Sequence, residues 1–231
     1  AAKNRYRDPQ LDISGVGEKV RKLIDDHIYA TGVDPKIPPI DLLASNFKEH
    51  VSSIKSNKAR ASEIEHAIKS HITINLENDP AYYKSLSEKL KKIIQDHEEH
   101  WDELVQLLFD FRENIESDRK DGADKLGLTE TEFAFRNIIM SELSRISGNS
   151  EVGASVHDEI LQVTTKLVAM IYESSKIVDF FDKQNEIRKV QRDIKRELLE
   201  TSFGDDDNLR SAVINEFMDL AKVKFQKQHH D

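Results

Sequence analysis

The chain has 231 residues and no cysteine. That excludes a disulfide framework, a thiolate metal site and a cysteine nucleophile, and it suits a reducing compartment. Proline is scarce: there are five, and none follows Pro80, so nothing in the later two thirds of the chain forces a helix to break. Glycine is scarce too, at eight residues with none grouped near a Lys-Ser/Thr pair, so no loop can wrap a triphosphate in backbone N–H groups. No run approaches the ~18 apolar residues of a membrane span, and the N-terminus shows no charged start followed by an apolar stretch. A soluble chain without membrane contact or secretory leader is expected. Period-two alternation of useful length is also missing, which argues against a sheet.

What the chain does have is hydrophobic content of 38%, enough to bury a substantial core as one large domain or two tightly packed halves. Its formal net charge of −9 argues against a surface that is nucleic-acid-binding throughout, though a local basic stripe remains compatible with it. A protein is the more natural dominant partner.

Residues 1–15 are polar and aperiodic and read as a linker or a cloning-derived end. Residues 16–225 read as the helical domain, and 226–231, with His229 and His230, as a tail or tag remnant. Within the domain, Val20, Leu23, Ile24 and Ile28 recur at helical spacing, and Gly32 is placed to stop that helix. Asp34-Pro35 and Ile37-Pro38-Pro39 force a turn. Pro39 suits the first position of a short helix from Ile40 to Ala44, with Ser45 and Ser56 as caps for the next two segments. Phe47, Val51 and Ile54 give one stripe, and Ala61, Ile64, Ala67, Ile68, His71 and Ile72 the next, with the β-branched Ile72-Thr73-Ile74 a place where that helix could fray.

Asp79-Pro80 is a strong helix start. The stripe after it runs through Leu86, Leu90, Ile93, His97, Trp101, Leu104, Leu108, Phe111 and Ile115, as one helix or as two broken near Asp96 to Trp101. Ser117 to Lys125 reads as a charged loop around Gly122. Thr129 and Glu132 form a capping box opening a helix from Glu130 to Ile146. Ser147 to Gly153 is the best internal boundary, near residues 147–154. Ser155 with Asp158 is expected to open the next helix, followed by stripes at Ile187, Val190, Ile194 and Leu198 and at Leu209, Val213, Phe217 and Leu220. The expected class is all-α, an irregular multi-helix bundle of about eight or nine helices without substantial sheet.

KIPPIDLL (Lys36 to Leu43), KARASEIEHAIKSHI (Lys58 to Ile72) and DPAYYKSLSEKL (Asp79 to Leu90) resemble, in this order, the C-terminal helical region of the motor and restriction (R) subunit of type I restriction-modification enzymes. GEKVRKLIDDHI (Gly17 to Ile28), WDELVQLL (Trp101 to Leu108) and KIVDFF (Lys176 to Phe181) are similar to that family as well, and the likeness runs from Gly15 to Phe225. The resemblance implies a bacterial, cytoplasmic protein whose parent subunit is a type I site-specific deoxyribonuclease. Its nuclease domain and its ATP-dependent DNA translocase, with their ATP and Mg, would lie upstream. This region would then be non-catalytic and hold no cofactor of its own. Its implied partners are the methyltransferase and specificity subunits, double-stranded DNA contacted without regard to sequence, and the motor domains of the same chain.

The residues agree with a non-catalytic module. Neither Asp34-Pro35 nor Asp79-Pro80 leads through strands to an acidic-x-Lys, so no catalytic set of a restriction nuclease is expected. Glu63 and His66 have Glu-x-x-His spacing, and His97 lies one turn from His100, but the four-helix ligand set of a di-iron site is incomplete, so no metal is expected. Two surfaces are candidates for binding. Lys36, Pro38, Pro39, Arg60, Glu63, His66 and His71 are candidates for subunit docking, against the plainer reading that they brace the local fold. Arg188, Lys189, Arg192, Lys195 and Arg196 lie opposite the apolar stripe of their helix and are candidates for DNA phosphate contacts, against the plainer reading of a solvated face balanced by Glu186, Asp193 and Glu197. Trp101 is read as core, with an interface anchor as the other option. A different class of function, a regulatory module binding a nucleotide or other small ligand through Lys36, Lys58 and Arg60, is the alternative.

Overall fold

The computed structural model describes residues 41–97, 100–147 and 153–226. Every regular element among them is helical: α1 (Phe47–Ser53), α2 (Asn57–Asn75), α3 (Pro80–Asp96), α4 (Trp101–Lys125), α5 (Glu130–Ser147), α6 (Ala154–Ser175), α7 (Gln184–Leu199) and α8 (Asp207–Phe225). Short 3-10 turns occupy Leu76–Asn78 and Phe180–Asp182. The all-α expectation holds, with no strand among the described residues. The helix expected around Val20 to Ile28, its stop at Gly32, the proline turn, and most of the linker-like stretch before Gly153 lie outside the described residues.

The helices form two compact units. One holds the described residues of Ala1–Leu76 together with Tyr83–Asp118. Its core takes Phe47 and Val51 from α1, then Ala61, Ile64, Ala67, Ile68 and Ile72 from one face of α2, and Leu86, Leu90, Leu104 and Leu108 from α3 and α4. Phe47 meets Phe109 edge-on with centroids 6.4 Å apart. Arg112 lies over the Phe47 ring at 5.0 Å and donates through Nε to the Leu42 carbonyl at 2.6 Å. α2 continues through Ile72-Thr73-Ile74 without fraying, because Ile72 is buried and the Thr73 hydroxyl donates back to the Lys69 carbonyl at 2.8 Å.

The stripe shared by α3 and α4 is two helices. α3 ends at Asp96, and the His97 ring donates to the Ile93 carbonyl at 3.0 Å, closing the last turn before α4 opens at Trp101. Residues 41–44 are a turn and not the expected helix. Asp41 Oδ1 accepts the Leu43 N–H at 3.0 Å and the Asp41 carbonyl accepts the Ala44 N–H at 3.0 Å, a local arrangement that competes with helix propagation. Asn46, not Ser45, precedes α1, and Ser56 occupies the N-cap of α2 without a side-chain cap bond.

The second unit holds Glu77–Tyr82 and the described residues of Arg119–Asp231. In it α5 packs on α6 and α8, and α7 packs on α6 and α8, around Phe135, Ile138, Ile139, Leu167, Ile171, Ile194, Leu198, Val213 and Phe217. The Phe135 ring meets Phe217 edge-on at 4.8 Å. Ser117 to Lys125 is the last part of α4 and not a loop. Apart from Arg119 its charged residues face solvent, while a Cβ at Gly122 would fall 2.8 Å from the Phe133 ring, so the glycine serves close packing instead of a chain reversal. The helix stops at Gly127, whose φ of 65° is left-handed; its N–H bonds the Asp124 carbonyl at 3.1 Å and the Leu128 N–H bonds that of Ala123 at 3.0 Å.

The capping box then opens α5 as expected. Glu132 Oε2 accepts the Thr129 N–H at 2.8 Å and Thr129 Oγ1 accepts the Glu132 N–H at 3.2 Å. Thr129→Ala is expected to cost about 1 kcal/mol, measured as a lower melting temperature by circular dichroism. α6 starts one residue before the expected cap. Gly153, in extended geometry, occupies the N-cap and accepts the Val156 N–H at 3.0 Å, which places Ser155 inside the first turn.

Candidate nucleic-acid interface

α7 is the most strongly two-sided helix of the second unit. Val190, Ile194 and Leu198 are buried against α6 and α8, which leaves Arg188, Lys189, Arg192, Lys195 and Arg196 exposed on the other side. The charges divide further. Arg196 Nη2 pairs with Asp193 at 3.2 Å, and Glu197 turns away to pair with Lys166 on α6. Of the three carboxylates expected to balance the face, Glu197 is thus drawn to another helix and Asp193 meets Arg196 alone. Arg188, Arg192 and Lys195 make no ion pair among the described residues, and the three line one open groove between α7 and α8.

The groove's other lining comes from Asn185, Gln191, Ser211, Ile214 and Asn215. Its α8 wall is held in place by the connection between the two helices. Glu159 Oε2 accepts both the N–H and the hydroxyl of Ser202, at 2.9 and 2.7 Å, and these bonds hold its carboxyl below the usual range. Asp206 Oδ1 caps α8 by accepting the Asn208 and Leu209 N–H groups at 2.7 and 2.9 Å. Buried Arg210 donates to the Gly204 carbonyl and pairs with Asp207. Sequence reasoning does not single out the α8 wall. Its signal is the one-turn spacing of Ser211 and Asn215 on the exposed side of the Leu209, Val213, Phe217 stripe.

The candidate docking residues are placed differently. Lys36, Pro38 and Pro39 lie outside the described residues. Arg60 donates to the Ile54 carbonyl at 2.6 Å, the Ser52 carbonyl at 2.9 Å and Asn57 Oδ1 at 3.1 Å, gathering the carbonyls at the end of α1. Glu63 lies 3.5 Å from His50 Nε2. The ring of His71 sits 5.9 Å from that of Tyr83, and His66 is half-buried one turn after Glu63. The Lys58 ammonium lies over the Trp101 ring at 5.4 Å. The structure therefore brings Arg60, Glu63 and His50 to one edge of the α1–α2 pair and sets His71 apart, toward α3.

A second polar assembly, also unforeseen beyond its capping role, surrounds Asp79. This residue is fully buried; its Oδ1 accepts the Tyr82 N–H at 3.1 Å, and its Oδ2 accepts from Asn137 Nδ2 at 3.3 Å and lies 3.6 Å from Arg119 Nε. Arg119 also pairs with Glu130 at 2.6 Å. Burial pushes the Asp79 carboxyl above its ordinary 3.8, against the opposing pull of the Tyr82 N–H and Arg119. Burial likewise pushes the Lys224 ammonium down, with Arg119 adding to the effect and Asp79 opposing it. No three His, Asp or Glu side chains among the described residues converge as a metal site would require.

A model of the family described as type I restriction enzyme HindI endonuclease subunit-like, C-terminal, matches residues 3–226. No curated protein and no solved structure matches the chain. Among the described residues, no helix is long and apolar enough to cross a membrane.

Proposed function

The chain belongs to the family of HindI-like type I restriction enzyme endonuclease subunits, as their C-terminal domain, and from that premise we propose that it is a non-catalytic assembly and DNA-contact module of the R subunit. In this reading it attaches the subunit to the methyltransferase and specificity core and lends sequence-independent contacts to the DNA that the upstream motor translocates. ATP and Mg serve those upstream domains. The observation that carries the DNA-contact role is the unneutralised row of Arg188, Arg192 and Lys195, with Asp193 and Glu197 turned to Arg196 and Lys166. A helix face that were only solvated would gain from local pairing, whereas a face that meets phosphates keeps its cations free for them.

Assembly is tested by deleting this region from the complete subunit. The shortened subunit is expected to lose co-elution with the methyltransferase and specificity subunits while keeping ATP hydrolysis by its motor domains. Undiminished co-elution would assign assembly to another part of the subunit. The chain alone is expected neither to hydrolyse ATP nor to cut DNA, since its sequence has no phosphate-binding loop motif and the described residues include no strand to carry a carboxylate–lysine set. DNA-stimulated ATP hydrolysis by the purified chain would overturn the non-catalytic reading.

A further inference from the structure

The groove between α7 and α8 has two unlike walls, and the difference bears on what occupies it. On α7, Arg188, Arg192 and Lys195 are spaced by four and three residues, a track of ~10 Å at ~1.5 Å of rise per residue. On α8, Ser211 and Asn215 are exposed one turn apart, with half-buried Ile214 between them. Gln191 and Asn185 add neutral amides at the α7 side. Hydroxyl and amide side chains are the usual neutral donors to phosphate oxygens, alongside arginine and lysine. The lining includes no aromatic ring on which an unpaired base could stack, the feature that marks grooves for single strands. Nor is the groove an enclosed slot for a free nucleotide. It is open along its length, and ~10 Å corresponds to about three phosphates of one strand at ~3.4 Å each along a duplex axis.

Resting on the proposed DNA-contact role of α7, we propose that this groove seats the sugar–phosphate ridge of one strand of intact double-stranded DNA, with Ser211 and Asn215 on α8 as neutral positioning donors facing the α7 cations. The cations supply attraction that falls with salt. The α8 wall fixes where the ridge lies and adds affinity that does not depend on salt. Ile214 gives the sugar edge an apolar contact. Since no base edge is read, the site takes any sequence and selects for the regular backbone of a duplex.

The test uses the complete R subunit assembled with its methyltransferase and specificity subunits, titrated with a non-cognate 30-base-pair duplex and with a single strand of equal length over a range of salt. Ser211→Ala with Asn215→Ala is expected to weaken duplex binding about tenfold at every salt concentration, because neutral hydrogen bonds release no counterions. Its log–log salt slope should match that of the unaltered enzyme. Asn215→Asp, which sets a carboxylate in the groove, should weaken duplex binding further. If both α8 variants bind duplex normally while the combined Arg188→Gln, Arg192→Gln, Lys195→Gln variant flattens the slope, the α8 wall is not a contact and only the α7 reading stands. If that charge variant leaves the slope unchanged, the α7 reading fails and this proposal falls with it. A larger loss for single strand than for duplex would make an unpaired strand the occupant. Weakened subunit assembly without DNA would make the occupant a protein surface. Either result overturns the proposal.

Discussion

Asp79→Ala is expected to lower the stability of its unit by about 3 kcal/mol, seen as a fall of roughly 10 °C in the melting temperature of the chain. Several losses act at one site. The carboxylate caps α3 through the Tyr82 N–H and accepts from Asn137, so alanine removes the cap and strands the amide of a half-buried side chain. It also removes the buried one of the two anions beside Arg119, which then keeps Glu130 alone as its ion-pair partner among the described residues. A melting temperature within a degree of the unaltered chain would mean that water or side-chain rearrangement fills the site.

Asp79→Asn separates the capping role from the charge. Asparagine caps nearly as well as aspartate and can still meet Asn137, so the loss is expected to stay within about 1 kcal/mol. Burial is the largest influence on this carboxyl and raises its pKa, which means that ionising it in the folded chain costs more than ionising it in the unfolded chain. The folded state therefore holds the proton to higher pH. Stability from this group is fully present below the ordinary value of 3.8 and is lost as pH rises through the raised folded value. The advantage of the unaltered chain over Asp79→Asn should accordingly shrink as pH is raised from 3.8 in chemical denaturation. An advantage that grows with pH would show that Arg119 and Lys224 together outweigh burial.

What the sequence discloses and what it withholds divide along the reach of each interaction. The Thr129–Glu132 box, the Asp79-Pro80 start and the Val190, Ile194, Leu198 stripe involve residues within a turn or two of each other, so their spacing alone announces them. Gly122 misleads because its meaning lies in the Phe133 ring, which arrives from the following helix. The true stop, Gly127, is marked by a left-handed φ that no composition signal distinguishes from a packing glycine. Helical periodicity sets Arg60 on the border of its helix, where the structure also has it. Its acceptors, however, are the Ser52 and Ile54 carbonyls, whose direction follows from where α1 ends. The polar partners of buried Asp79 include Asn137, Arg119 and Lys224, all remote in the chain. The basic face of α7 is legible from helical periodicity, but the choice of which cations stay unpaired is not, since Glu197 is drawn off by Lys166 of another helix.

That choice gives the other large expected effect. In the assembled enzyme, replacing Arg188, Arg192 and Lys195 with glutamine is expected to reduce the slope of log affinity against log salt by about 2.7, at ~0.9 for each phosphate that is no longer neutralised. Between 50 and 200 mM salt the affinity of the unaltered enzyme for duplex should then fall roughly 40-fold more than that of the variant. The change should be the same for unrelated sequences, since none of the three residues is assigned to a base edge. Glutamine keeps most of the side-chain length and the helix propensity of the originals, and all three positions are exposed, so the fold of the unit should be untouched. Lys189 and Arg196 provide the internal comparison. Arg196 already has Asp193 as a partner, and neither residue lines the groove, so replacing these two should move the slope far less. Equal effects from the two sets would mean that DNA senses only the net charge of the helix. A slope changed by the groove set alone ties DNA binding to the track of cations left uncompensated by the turning of Glu197 toward α6 and of Asp193 toward Arg196.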